Sequence, residues 1–206
     1  MANAPFDYKQ DQRLVSDGKD GTYEPKQAFI AHLEWSATEG ALGTVTSVHA
    51  AVTDTGASQE VTTAITNPVC ARNVTATAGG TAADIKAIQV IVEGTDMNGA
   101  TITETLPVFT VNTAGTVVGS KAFKTVTKIT IPAHDGTGAT TSAGVGSKLG
   151  LPYKLENNTV LKAYHNNTLE ATAPTVAVST SALESNTATF NTALNGSVLD
   201  LYLMVD

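Results

Sequence analysis

Along most of the chain, apolar and polar residues alternate with the two-residue period of a β-strand, in short runs closed by Gly, Asn or Pro. In KQAFIAHLEWSA, a strand puts Phe29, Ala31, Leu33 and Trp35 on one face and Ile30, His32 and Glu34 on the other. A short helix would also cluster Phe29, Ile30 and Leu33; the neighbouring strand patterns favour the strand. GTVTSVHAAV and EVTTAIT follow, the second running into Asn67-Pro68, where the proline biases Asn67 towards extended backbone. RNVTATA sets Val74 and Ala76 against Asn73, Thr75 and Thr77, and Gly79-Gly80 closes it. DIKAIQVIVEG aligns Ile88, Val90 and Val92, then Asn98-Gly99 signals a hairpin into ATITETLPVFTV, which is interrupted at Pro107.

KAFKTVTKITI puts Phe123, Ile129 and Ile131 opposite Lys124 and Lys128. NTVLKAYH, APTVAVSTS and NTATFN are shorter strand patterns, and SALESNTATFNTALNG has room for one helical turn. SVLDLYLMV has an unbroken apolar face of Leu199, Leu201, Leu203 and Val205, with Val198, Tyr202 and Met204 also apolar; it reads as a central strand buried on both faces. HDGTGATTSAGVGSKLG, rich in glycine and poor in large apolar residues, reads as a turning loop between strands. About ten short strands with frequent turn residues predict an all-β fold, a β-sandwich of jelly-roll or Greek-key type.

Residues 1–24 break the pattern, with closely spaced charges and little periodicity. They read either as a frayed terminus or as an extended N-terminal arm that orders on a partner, with Phe6, Tyr8 and Tyr23 as aromatic anchors. The expected division is an arm and lead-in segment over 1–42 and a β-sandwich domain over 43–206. The candidate partner contacts are Phe6, Tyr8, Arg13, Tyr23, Phe29 and Trp35.

Composition supports the β reading. Threonine is roughly one residue in six, well above ordinary usage, and charged residues are only 15 %. β-Branched residues suit a pleated surface. A formal net charge of −7 with scattered lysines lacks the basic stripe that a phosphate backbone requires, so nucleic acid is not an expected direct partner. The single cysteine, Cys70, cannot close an intramolecular disulfide, which fits assembly in a reducing cytoplasm. No secretory signal pattern and no apolar run of membrane-spanning length is visible, so no membrane partner is expected.

Several residue groups invite a chemical reading. Asp54-Thr55-Gly56 matches the tripeptide of aspartic proteases, whose chemistry needs two carboxylates sharing one proton. It occurs once, and the same residues are good turn chemistry. His134, Asp135 and Ser142 have the types of a hydrolytic triad, yet no nucleophile elbow surrounds Ser142 or Ser147. GVGSKLG lacks the Gly-Lys-Ser/Thr ending of a phosphate loop. His32, His49, His134 and His165 are too scattered to predict a zinc site, and Asp96, Asn98 and Glu104 are too closely spaced for a full calcium loop. Arg72 near Cys70 is a candidate for lowering the thiol pKa, set against a plain core cysteine. The expectation is a non-enzyme without cofactor or metal.

Three phrases carry a resemblance: ARNVTATAGG, the hairpin IVEGTDMNGATITETLP, and TVTKITIPAHDGTGATTSAGVG ending in LGLPY. Within residues 67–153 the chain resembles tailed-bacteriophage virion proteins, in particular small capsid decoration or cement proteins. The resemblance implies a β-sandwich on the exterior of an icosahedral head, assembled in the host cytoplasm. It also implies a homo-oligomer, expected to be a trimer, with the major capsid protein as partner. It transfers no individual functional residue. Two other expectations are a tail, collar or fibre component, and a carbohydrate- or host-surface-binding β-sandwich using Trp35, the single tryptophan.

Overall fold

The computed structural model describes residues 28–205. Phe6, Tyr8, Arg13 and Tyr23, with the rest of the expected arm, lie outside the described residues. In chain order the strands are β1 (Phe29–Trp35), β2 (His49–Thr53), β3 (Gln59–Val61), β4 (Arg72–Gly80), β5 (Ile91–Thr95), β6 (Thr101–Thr105), β7 (Gly115–Phe123), β8 (Thr125–Ile131), β9 (Ala139–Gly150), β10 (Val160–His165), β11 (Thr168–Leu169), β12 (Thr175–Ala177), β13 (Thr187–Thr189) and β14 (Leu199–Val205). The expected all-β sandwich is borne out. All strand pairs are antiparallel and form three sheets: β1-β14-β10-β11, β12-β13-β9-β4-β7 with β2 also on β9, and β3-β8-β5-β6.

The six-stranded sheet serves two cores. In the first, Val74, Ala76 and Ala78 of β4 pack with Val92, Ile129 and Ile131 of the β3-β8-β5-β6 sheet, together with Leu106 and Phe123. In the second, Leu149 of β9 packs with Trp35, Phe190, Leu199, Leu201 and Leu203. Each large side chain so enclosed contributes about 1.5–3 kcal/mol of apolar burial. β9 reaches both cores, through Ala139 and Ala143 at one end and Leu149 at the other.

β1 forms as its alternation predicts except at its first residue: Ala31 and Trp35 are buried and Leu33 half-buried, Ile30, His32 and Glu34 face outward, and Phe29, expected inward, is exposed where the strand begins. It pairs with β14 along its whole length, so the folded body starts upstream of residue 43 and takes in the lead-in strand. The β5–β6 hairpin turns at Asn98-Gly99, with Gly99 at φ 83°. β6 ends before Pro107, which has no amide to continue a ladder.

Three expectations need correction. The glycine-rich stretch is not a loop beyond its first residues: from Ala139 it is β9, the longest strand, central in its sheet and paired with β2, β4 and β13. Its burial depends on close backbone approach rather than on large side chains. A Cβ on Gly144 would sit 2.1 Å from the Thr44 carbonyl oxygen, and one on Gly146 would sit 2.4 Å from the Asn73 amide. β14 is central but buried on one face only; Met204 is exposed and Tyr202 half-buried on the other. In KAFKTVTKITI the chain breaks at Lys124, and a bulge opposite Glu93 and Gly94 shifts the alternation, so that Val126 is buried along with Ile129 and Ile131.

Candidate partner-binding surface

Antiparallel register stacks the outward residues of β1, β14 and β10 into rows. Ile30 lies opposite Met204, His32 opposite Tyr202, and Glu34 opposite Asp200. On the other side of β14, Lys162 lies opposite Tyr202 and Tyr164 opposite Asp200. The face grades along the strands. At one end Ile30 is 69 % exposed and Met204 39 %, with Phe29 exposed at the rim. In the middle the His32 ring stacks on Tyr202, with centroids 4.2 Å apart and planes 3° from parallel, and Tyr164 meets Tyr202 edge-on at 6.3 Å. At the other end His32 Nε2 lies 2.7 Å from Asp200 Oδ1, and the ligating atoms of His32, Glu34 and Asp200 all fall within 4.8 Å of one another.

β1 is also an edge strand, and among the described residues nothing pairs with its outer side. Seven residues of open backbone, about 23 Å at the usual strand rise, can accept a strand from another chain. Of the candidate contacts that lie in the described residues, Phe29 is on this edge and exposed. Trp35 is not available. It is 6 % exposed and packs edge-on against Phe190 in the second core, with centroids 5.9 Å apart. Its place on the inward face of β1 rules out sugar stacking by this side chain. A second apolar spot, with Leu42 and Val69 exposed, borders a cleft of about 200 Å³ beside Arg72 and Val145.

The residues read as chemically suggestive are tied into the scaffold. Asp54 is buried; its Oδ2 accepts the Gly56 amide at 2.8 Å and its Oδ1 accepts the His134 amide at 3.0 Å. The Asp-Thr-Gly tripeptide is therefore a turn whose carboxylate holds a neighbouring loop. His134 is buried as well. Its Nδ1 accepts the Lys86 amide at 3.2 Å, which leaves the proton on Nε2, 2.9 Å from Thr141 Oγ1. Burial holds its pKa below the usual histidine range, against the opposing pull of Asp54 and Asp135. Its hydroxyl partner is Thr141 rather than Ser142, and Asp135 forms its ion pair with Lys86 at 3.1 Å. The three do not form a nucleophile, base and orienter chain.

The calcium-loop residues separate too. Asp96 Oδ1 accepts the amides of Asn98 and Ala100 within its own turn. Glu104 points to β7, accepting the Ser120 amide at 2.6 Å and hydroxyl at 2.8 Å. Cys70 has its pKa pushed up to about 11, because burial outweighs the attraction of Arg72. The Arg72 guanidinium is committed to the carbonyls of Gly146 and Ala41.

No known protein family, curated protein or solved structure matches this chain.

The outer face of β1 and β14 was legible only in part. The alternation in β1 gives Ile30, His32 and Glu34 as outward residues. Their union with Asp200, Tyr202 and Met204 depends on a pairing between strands about 170 residues apart, for which no local signal exists.

Proposed function

We propose that this chain is a structural virion protein that binds the outer surface of a tailed-phage capsid and stabilises the head. The observation that carries the reading is the exposed face of β1 and β14 beside an open edge strand. It joins a rigid all-β body to an apolar and aromatic surface suited to docking. The resemblance of residues 67–153 to decoration proteins supports the same reading. In it, the major capsid protein is the partner and the chain acts as a small homo-oligomer, a trimer. Repetition over the shell turns modest contacts into avidity.

The experiment is co-sedimentation of the purified chain with expanded heads that lack it. Covering what remains exposed of Phe29, Ile30 and Met204 is worth about 1–2 kcal/mol per side chain. Ile30→Lys with Met204→Glu, which sets opposite charges across the β1–β14 pair, is therefore expected to lower affinity by about 10²-fold, with an unchanged melting temperature. Failure of the wild-type chain to bind heads refutes the function. Wild-type binding by the double variant refutes the surface. Attachment to the tail in labelled micrographs would move the protein to a tail or collar role.

A further inference from the structure

His32, Glu34 and Asp200 bring one imidazole and two carboxylates together on the outward face of β1 and β14. His32 and Glu34 are two residues apart on β1 and so share a face. Register sets Glu34 directly opposite Asp200 and leaves His32 diagonal to it. His32 Nε2 is 2.7 Å from Asp200 Oδ1, and one ligand atom from each of the three residues lies within 4.8 Å of the other two. The group is open to solvent: His32 and Glu34 are exposed and Asp200 is partly so.

The charge balance around this group calls for a cation. Carboxylates directly opposed across a ladder repel one another. Among the described residues no lysine or arginine forms an ion pair with either of them. Lys162, diagonal to Asp200 across β10 and β14, forms none with it. His32 offsets the charge only when protonated. The imidazole is also held in place. It lies flat on Tyr202, which Tyr164 in turn meets edge-on, so its Nε2 stays turned towards the carboxylates and little side-chain freedom remains to be lost on binding.

The spacing suits a small divalent ion. Bonds of about 2.0–2.2 Å from zinc to imidazole nitrogen and carboxylate oxygen put tetrahedral ligand atoms about 3.3–3.6 Å apart. The 2.7 Å contact and the 4.8 Å limit on the group bracket that value, so small shifts at exposed side-chain tips close the shell. One nitrogen with two carboxylate oxygens suits zinc-like transition metals, whereas calcium and magnesium prefer oxygen alone.

We propose that His32, Glu34 and Asp200 bind one divalent transition-metal ion, with water in the remaining position. Two ligands come from β1 and one from β14, so the ion ties the open edge strand to its sheet partner. The site stands independently of capsid attachment. No spacing motif marks it, because Asp200 meets β1 only through the fold.

The test uses the full, untagged chain, stripped of metal by chelation and titrated with Co²⁺ by absorption spectroscopy and with Zn²⁺ by calorimetry. One equivalent is expected to bind with a Kd below about 100 μM, giving cobalt ligand-field bands. His32→Ala is expected to abolish it, as is Glu34→Gln combined with Asp200→Asn. His49→Ala, which removes an imidazole outside the group, is expected to leave it intact. In the wild-type chain, Zn²⁺ should shift the His32 imidazole ¹⁵N resonances and leave those of His165 in place, a readout that needs no folded variant. Absence of saturable binding, binding in the millimolar range only, binding unchanged in His32→Ala, or loss in His49→Ala overturns the proposal. So does displacement of Co²⁺ by an equal concentration of Ca²⁺.

Discussion

Replacing Asn186 by alanine tests how far one buried amide holds the second half of the molecule together. Asn186 is fully buried. Its Oδ1 accepts the amides of Leu155 at 3.0 Å and Ser179 at 2.8 Å. Its Nδ2 donates to the carbonyls of Ser179 at 3.0 Å and Ala182 at 2.8 Å, with a weaker third contact to Leu183 at 3.3 Å. An amide has two N–H bonds and two lone pairs, so four full bonds exhaust it and the contact to Leu183 shares a hydrogen. Alanine leaves the buried Leu155 amide without a partner, at about 1–3 kcal/mol. The Ser179 and Ala182 groups are half-buried and regain water, at about 0.5–1.5 kcal/mol each. With three such groups the sum is a loss of about 2.5–7.5 kcal/mol, or about 5–30 °C in Tm for a chain of this size. Urea unfolding followed by the fluorescence of Trp35, which is buried in the adjoining core, measures it directly. Asn186→Asp keeps both acceptors but turns carboxylate oxygen towards carbonyls, so its stability should recover as the pH falls and the acid protonates. A loss below about 1 kcal/mol for Asn186→Ala would refute the accounting.

Gly144→Ala puts a methyl group 2.1 Å from the Thr44 carbonyl oxygen and should destabilise the chain through the displaced 44–47 segment, lowering Tm; an unchanged Tm would show that β9 does not need that close approach. His134 is neutral when folded and its pKa is depressed by burial, so the unfolded chain binds the proton more readily. Its contribution is complete above the unfolded pKa of about 6.5 and is lost as pH falls towards the folded value, a slope that His134→Gln should remove from the curve of stability against pH. With its pKa near 11, the Cys70 thiol should resist alkylation at pH 8 in the folded chain and react promptly in denaturant; equal rates in the two states would contradict its burial.

What the sequence disclosed depended on how each segment achieves burial. β1 and the β5–β6 hairpin hide ordinary apolar side chains and turn at Asn-Gly, so alternation and turn chemistry revealed them. β9 is built from Ala, Thr, Ser and Gly; it is central because neighbours approach its backbone, and a hydrophobicity pattern cannot register that. β4 is buried on both faces from Arg72 to Thr75, with polar side chains such as Asn73 satisfied by Gly119 and Lys148, so its outward polar face was no guide to solvent. The β10–β11 hairpin also left a local trace: two consecutive asparagines between strand-like residues favour a tight turn.

The union of β1 with β14 gives the order of synthesis a structural consequence. Residues 29–35 leave the ribosome before every other described strand, but their only sheet partner among the described residues spans 199–205. Until that last strand emerges, β1 has no ladder to join, and Trp35 has neither Phe190 nor Leu199 to pack against. The second core therefore closes after translation of nearly the whole described chain, over a loop whose closure is slow. A chaperone that shields the nascent Phe29–Trp35 segment would act on the longest-lived unpaired strand among the described residues.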